Sequence, residues 1–125
     1  MDASPEALPE KRAHPRFELG PGVFAVVKSD GETLGEVLNV SEGGLALKYV
    51  AGLGTRLPKG TLDVFATKGV SYLIDVPVRT VSDFEIPNNV DFSTIRLRRM
   101  GVAFENLTQA QRQSLRDFIK ENRAN

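Results

Sequence analysis

Cysteine is absent from the 125 residues of the chain, and histidine occurs once, as His14. Without cysteine there can be no disulfide, no thiolate nucleophile and no zinc–sulfur site. A single imidazole cannot build a metal site of several histidines. A Ser-His-Asp triad would have to recruit His14 from a proline-containing N-terminal segment. We therefore expect neither a metal centre nor catalytic residues, and the chain is not expected to be an enzyme.

An excess of charge of either sign is also absent, since Lys plus Arg and Asp plus Glu number 16 each. This balance predicts no general attraction to DNA, RNA or an anionic membrane, so an anion site would have to be local. No segment is long enough to span a membrane, and the acidic N-terminus does not resemble a signal peptide. The expectation is a cytoplasmic protein that binds neither a membrane nor a nucleic acid polymer.

The chain does contain enough apolar sequence for one hydrophobic core. Hydrophobic residues make up 41% and charged residues 26%, which is typical of a single globular domain. Short β-branched and aromatic runs predict about six antiparallel strands, at residues 23–28, 33–40, 45–50, 62–66, 72–78 and 95–104. An Asp-Gly pair between the first two runs predicts a hairpin turn, and the glycine-rich segment 51–60 predicts a loop.

Two details of this strand prediction can be checked in a structure. Alternation in the fifth strand places Tyr72, Ile74 and Val76 on one face and Asp75 on the other. Residues 83–93 are expected to form a long hairpin loop before the last strand.

The C-terminal segment changes to helical spacing. Leu115, Phe118 and Ile119 fall on one side of a predicted helix, and a capping box begins at Thr108. The predicted fold class is mainly β: a six-stranded antiparallel β-barrel with one C-terminal amphipathic α-helix.

Two short polar motifs flank the first predicted hairpin. The first is Lys11-Arg12-Ala13-His14-Pro15-Arg16-Phe17, and the second is Asn39-Val40-Ser41-Glu42-Gly43-Gly44. Pro15 disfavours a continuous helix through the first motif, so its arginines lie on an extended or turned arm. A guanidinium is planar, permanently charged and able to bond in a bidentate manner, which suits phosphate and also the O6/N7 edge of guanine.

The second motif offers different chemistry. The Asn39 amide can accept from guanine N–H groups or donate to a carbonyl, and the Ser41 hydroxyl can reach phosphate or guanine. Gly44, with Gly43 beside it, is expected to permit a positive φ and close approach of a ligand to the backbone. Each motif alone has a simpler interpretation, as a solvated basic segment or an ordinary turn.

Taken in order, Arg-x-x-x-Arg and Asn-x-Ser-x-x-Gly resemble the paired signature of the PilZ domain family. The resemblance continues through residues 101–104 and the helix, and so covers roughly Lys11 to Lys120. It implies a single PilZ domain at 11–122, with the arm at 11–17, the barrel at 18–105 and the helix at 108–122. Residues 1–10 contain two prolines and almost no apolar periodicity, which predicts a flexible leader.

The family consists of bacterial receptors for the second messenger cyclic di-GMP, so the resemblance implies nucleotide binding without a cofactor. In the family, a long basic residue before the first arginine accompanies two stacked ligands, which makes Lys11 a further contact. The ligand is expected to order the N-terminal arm, which an unidentified downstream protein would then recognise. The implied ligand-binding residues are Arg12, Arg16, Asn39, Ser41, Gly43 and Gly44.

Two other functions stay open at this point. A PilZ-like adaptor could work through protein contacts alone and bind no nucleotide. A barrel that binds single-stranded nucleic acid could use Arg96, Arg98 and Arg99 with the nearby Phe92, although strand arginines are usually solvated. The sequence does not distinguish a monomer from a dimer.

Overall fold

The computed structural model describes residues 14–29, 31–51, 59–68, 72–87 and 96–124. Several of the features predicted above lie wholly or partly outside these ranges. They are the loop at 51–60, the central residue of the Asp-Gly turn, the far part of the 83–93 segment, and the two motif residues Lys11 and Arg12.

Seven β-strands and one α-helix make up the described part of the chain. In order they are β1 (Phe17–Glu18), β2 (Val23–Ser29), β3 (Gly31–Val40), β4 (Gly44–Val50), β5 (Lys59–Ala66), β6 (Tyr72–Glu85), β7 (Leu97–Phe104) and α1 (Gln109–Asn122). Strands β3, β2, β5, β6, β7 and β4 are antiparallel neighbours in that order, and pairing of β4 with β3 closes the ring. This confirms the predicted six-stranded antiparallel barrel with one C-terminal helix.

The barrel interior is filled by side chains that alternate along each strand. In β4 Leu45 and Leu47, two positions apart, are buried, as are Leu115, Phe118 and Ile119 on one face of α1. All of them belong to one hydrophobic core, so α1 packs on the barrel through its apolar face. Burial of this face, rather than helix propensity alone, holds a helix of this length in place.

The capping box that starts α1 is confirmed. Thr108 Oγ1 accepts a hydrogen bond from the Gln111 backbone N–H at 3.0 Å, and Gln111 Oε1 accepts one from the Thr108 N–H at 2.9 Å. These two bonds satisfy N–H groups that lack partners inside the helix. No helix in the described ranges is long and apolar enough to span a membrane.

Strand β6 is longer than predicted. It runs to Glu85, so the first residues of the segment expected to be a hairpin loop belong to a strand. Pairing explains the difference, because Asp83 lies opposite Met100 and Glu85 opposite Arg98 on β7. The residues of this extension give no apolar alternation from which a strand could have been predicted.

The predicted alternation in β6 is wrong at its beginning. Leu73 is buried, whereas Tyr72 and Ile74 are 61% and 56% exposed. The cause is a β-bulge, in which Ile74 and Asp75 together lie opposite one residue of β5, and Asp75 has φ 55°. The extra residue reverses the alternation, so that Val76 faces inward again.

Side-chain contacts hold the bulge. The Asp75 N–H donates to Asp63 Oδ1 at 2.8 Å. Lys28 Nζ lies 2.7 Å from Asp75 Oδ1 and 3.1 Å from Asp63 Oδ2. Hydrogen bonds to Asp75 and then Asp63 raise the pKa of Lys28, so the lysine stays charged between the two carboxylates.

Candidate functional site

The short strand β1 brings the two sequence motifs together. It pairs antiparallel with the end of β3, with Phe17 opposite Val40 and Glu18 opposite Asn39. Phe17 packs against the edge of the core, and Arg16 and Glu18, on either side of it in sequence, are exposed. Alternation along the strand therefore places the Arg16 and Glu18 side chains on the outer face of the barrel.

Arg16 makes a direct contact with the second motif. Its Nη1 donates to Asn39 Oδ1 at 3.0 Å, which joins two side chains that are 23 positions apart in the sequence. Both groups lie on the exposed rim of the barrel. The structure thus places one arginine of the first motif and the asparagine of the second at a single site.

Ser41 builds the turn that connects β3 to β4. Its side chain is buried, and its Oγ accepts from the Gly43 N–H at 3.1 Å and lies 3.4 Å from the Gly44 carbonyl oxygen. The Ser41 N–H donates to the same carbonyl at 2.8 Å. The serine therefore fixes the shape of the turn, whatever it contributes to a ligand.

The expected positive φ at Gly43 and Gly44 is wrong. Among the described glycines only Gly22 and Gly31 have a positive φ. Gly44 is required for a different reason, because a Cβ there would overlap the carbonyl oxygen of Val102 on β7. The close approach of β4 to β7, rather than an unusual backbone conformation, excludes a side chain at this position.

The surroundings of the turn include two contacts that the sequence did not predict. A Cβ added at Gly43 would lie 3.3 Å from His14 Cδ2, so the histidine stands beside the turn. Glu42 Oε1 lies 3.4 Å from Arg116 Nε, which links the turn to α1.

The end of α1 extends the sheet next to β1. The Gly20 N–H donates to the Asn122 carbonyl at 3.1 Å, and the Ala124 N–H donates to the Glu18 carbonyl at 2.8 Å. An isolated bridge pairs Leu19 with Arg123 between these two bonds. Strand β1 is therefore held on one side by β3 and on the other by the last residues of the described chain.

An open groove of about 420 Å³ lies where these segments meet, and its lining comprises Arg16, Phe17, Glu18, Arg123 and Ala124. The Arg123 guanidinium carbon lies 5.4 Å from the centre of the Phe17 ring, a cation–π distance. Glu18 and Arg123 belong to neither sequence motif and were not predicted as site residues. Alternation from Arg16 predicts an outward Glu18, but no local pattern indicates that the chain end pairs with β1.

Two of the arginines considered for nucleic acid binding, Arg96 and Arg98, pair with carboxylates, and Phe92 lies outside the described residues. Arg98 Nε donates to Asp83 Oδ1 at 2.9 Å, and this hydrogen bond raises the pKa of Arg98. The same carboxylate accepts from the Tyr49 hydroxyl at 2.7 Å. Arg96 Nη1 lies 3.7 Å from Glu85 Oε1. These contacts tie β4, β6 and β7 together at one place on the barrel.

Five of the predicted site residues, Arg16, Asn39, Ser41, Gly43 and Gly44, thus come together at one end of the barrel, where β1 meets the β3–β4 turn. Lys11 and Arg12 lie outside the described residues. Within the described ranges no group of three or more His, Cys, Asp or Glu side chains could hold a metal ion. The site offers guanidinium, amide and backbone groups, which suit an anionic or heterocyclic ligand.

A small closed β-barrel with an arginine arm against the β3–β4 turn is the arrangement that the PilZ resemblance implied. The family model of the PilZ domain matches residues 10–121 of the sequence. The chain belongs to the PilZ domain family.

Solved structures share the fold at low sequence identity. The PilZ domain of YcgR from Escherichia coli, solved with c-di-GMP, has 12% identity and a TM-score of 0.67, with 89% of this chain and 90% of that chain covered. The MrkH–c-di-GMP complex from K. pneumoniae has 12% identity and a TM-score of 0.66, with 88% of this chain and 51% of that chain covered. The chain therefore spans about half the length of MrkH. No curated protein matches the chain.

Proposed function

We propose that this chain is a receptor module for cyclic di-GMP, with a leader at 1–10 and one PilZ domain at 11–122. The observation that carries the proposal is the bond from Arg16 to Asn39, since it joins the two family motifs at one exposed site. Family membership supports the proposal, as do the cyclic di-GMP complexes of YcgR and MrkH.

In this proposal each motif residue has a chemical role. Arg16 and Arg12 bind the phosphates and the O6/N7 edges of the guanines through paired N–H donors. Asn39 exchanges its contact with Arg16 for one shared with the ligand. Ser41 keeps the β3–β4 turn in shape, so that the backbone at Gly43 and Gly44 borders the ligand.

The proposed output is a change in the N-terminal arm. Phosphates and guanines that bridge Arg12 and Arg16 to the barrel rim fix the segment before β1. A downstream protein that recognises the fixed arm binds the liganded module better, and by linkage it raises the affinity for cyclic di-GMP by the same factor.

Calorimetric titration with cyclic di-GMP, with GMP as the control ligand, tests the proposal. We expect saturable binding of cyclic di-GMP and much weaker binding of GMP, which has one guanine and cannot bridge both arginines. The stoichiometry separates one ligand per chain from the stacked pair that Lys11 suggests. A folded chain that shows no heat of binding with cyclic di-GMP would contradict the proposal.

The second candidate is an adaptor that binds no nucleotide, and one observation favours it. The outer surface of β5 and β6 exposes large apolar side chains, with Tyr72 61%, Ile74 56% and Phe65 38% exposed. Phe65 also stacks near Phe24, with ring centroids 5.9 Å apart. Adjacent exposed apolar residues are typical of protein contacts. Failure of the titration, with the fold intact, would favour this function.

A further inference from the structure

Glu18 occupies a notable place at the candidate site. It is the cross-strand partner of Asn39, and directly opposed residues in an antiparallel pair have Cβ atoms about 4.5–5.5 Å apart. It also lines the groove together with Arg16. A carboxylate therefore lies where the arginine motif meets the asparagine motif.

The acidic groups around the barrel that were described above are engaged by cations. Asp63 and Asp75 bind Lys28, Asp83 binds Arg98, and Glu42 lies against Arg116. Within the described residues no ion pair or side-chain hydrogen bond engages the carboxylate of Glu18, although Arg16 lies two positions away. Arg16 instead donates to Asn39. Glu18 is exposed and lines the groove.

Guanine matches such a carboxylate. Its Watson–Crick edge presents two adjacent donors, N1–H and the 2-amino group, and a carboxylate has two acceptor oxygens at similar spacing. The amide of Asn39 has only one acceptor oxygen, so it cannot face both guanine donors at once as the two oxygens of a carboxylate can. Glu18 is therefore the better-placed acceptor for a guanine edge at this site.

We propose that Glu18 determines the base specificity of the module by accepting hydrogen bonds from the Watson–Crick edge of a guanine in the ligand. In this way it supplies the carboxylate that asparagine at position 39 does not provide. The inference rests on the proposed function, since it takes cyclic di-GMP as the ligand. Adenine has an acceptor at N1 where guanine has a donor, so the same carboxylate disfavours cyclic di-AMP.

The direction in which Glu18→Gln changes the affinity for cyclic di-GMP shows whether Glu18 contacts the ligand or only lies near it. Cyclic di-GMP carries two phosphate charges, so a carboxylate that only stands nearby repels it, and Glu18→Gln would then strengthen binding. A carboxylate that reads guanine has the opposite effect. Glu18→Gln should then weaken cyclic di-GMP binding about tenfold or more, as expected for loss of a charge-assisted hydrogen bond.

The experiment titrates the wild type, Glu18→Gln and the control Glu32→Gln with cyclic di-GMP and with cyclic di-IMP, whose hypoxanthine bases lack the 2-amino group. Glu32 is exposed near the opposite end of β3, and its substitution changes the net charge equally. We expect Glu18→Gln to weaken cyclic di-GMP binding more than cyclic di-IMP binding, so that the preference for guanine falls. The control should leave both affinities unchanged.

Two results would overturn the inference and leave the proposed function standing. One is a Glu18→Gln variant that binds cyclic di-GMP as tightly as the wild type or more tightly. The other is an equal loss for both ligands. A wild type that binds neither ligand would overturn the proposed function, and the inference with it. Since Glu18 joins its neighbours through backbone bonds, the variant should fold, which circular dichroism can verify.

Discussion

Arg16 is the single residue on which the proposed binding depends most among those the structure describes. Its side chain is exposed and bonds Asn39, so its removal should leave the fold intact. Arg16→Ala should weaken cyclic di-GMP binding roughly 10- to 100-fold, because charge-assisted hydrogen bonds contribute about 1.5–3 kcal/mol each. Arg12→Ala should have a similar effect. Isothermal titration calorimetry measures both.

A conservative change and a distant one control this prediction. Arg16→Lys keeps the charge but loses the planar fork, so it should not restore binding. Arg96→Ala removes an arginine of the same charge that pairs with Glu85 near the beginning of β7, and it should bind normally. Full affinity in the lysine variant would show that charge alone, rather than bidentate geometry, holds the ligand.

The two adjacent glycines of the second motif should respond differently to the same substitution. Gly44→Ala places a methyl group into the Val102 carbonyl, and overpacking against backbone should destabilise the domain by about 3 kcal/mol. Gly43→Ala meets the edge of the His14 ring at 3.3 Å and Ser41 Oγ at 3.8 Å, both side-chain atoms, and should fold normally. Chemical denaturation compares the two variants. Equal stability would mean that β4 and β7 can separate near Gly44 at little cost.

At the scale of single elements, α1 depends on its capping box. Thr108→Ala removes the acceptor for the Gln111 N–H and should lower the free energy of unfolding by about 1 kcal/mol. Thr108→Ser keeps the hydroxyl and serves as the matched control. Thermal denaturation should show a lower Tm for the alanine variant alone. An unchanged Tm in both would mean that packing of Leu115 and Phe118 alone determines the helix start.

Elements that follow a local pattern could be predicted from the sequence. In β4 the large apolar residues Leu45, Leu47 and Tyr49 stand two positions apart and are buried, and the capping box of α1 is a four-residue signal, so both elements were predicted correctly. The beginning of β6 was not, because a bulge at Asp75 reverses the alternation. Pro77 indicates an edge or a bulge in this strand but does not give the position of the bulge. The partner of that bulge is Asp63 on β5, so its position is set by a contact between strands.

The residues of the candidate site likewise fall into two groups, those with a local sequence signal and those placed by contacts between strands. Arg16, Asn39, Ser41 and the glycines were recognised because their spacing is a motif, and the structure brings them together. The physical reason for Gly44 was wrong, since the close approach of β7 is a tertiary contact. Glu18 and Arg123 lie at the site through pairing of β1 with β3 and with the chain end, which no local signal predicts.

For the whole molecule, β1 is the physical link between the site and α1. The family resemblance implied that Phe17 belongs to the N-terminal arm, which a ligand is expected to order. The structure instead places Phe17 in the sheet, where it pairs with Val40 and packs at the core edge. The ligand is therefore predicted to order the residues before Phe17, which lead directly into the paired strand β1.

Hydrogen exchange with and without cyclic di-GMP tests this coupling. When the ligand bridges Arg12 and Arg16 to the rim, amides from about Ala7 to Arg16 should exchange more slowly. The reason is that the two bound arginine side chains anchor this segment of backbone. A smaller slowing should extend to the end of α1, since the Ala124 N–H donates to the Glu18 carbonyl across β1. Amides at the centre of β4 should not change and serve as the internal control. Equal exchange before Phe17 in both states, despite measured binding, would mean that the arm does not carry the signal, and the output would then have to leave through another surface of the barrel.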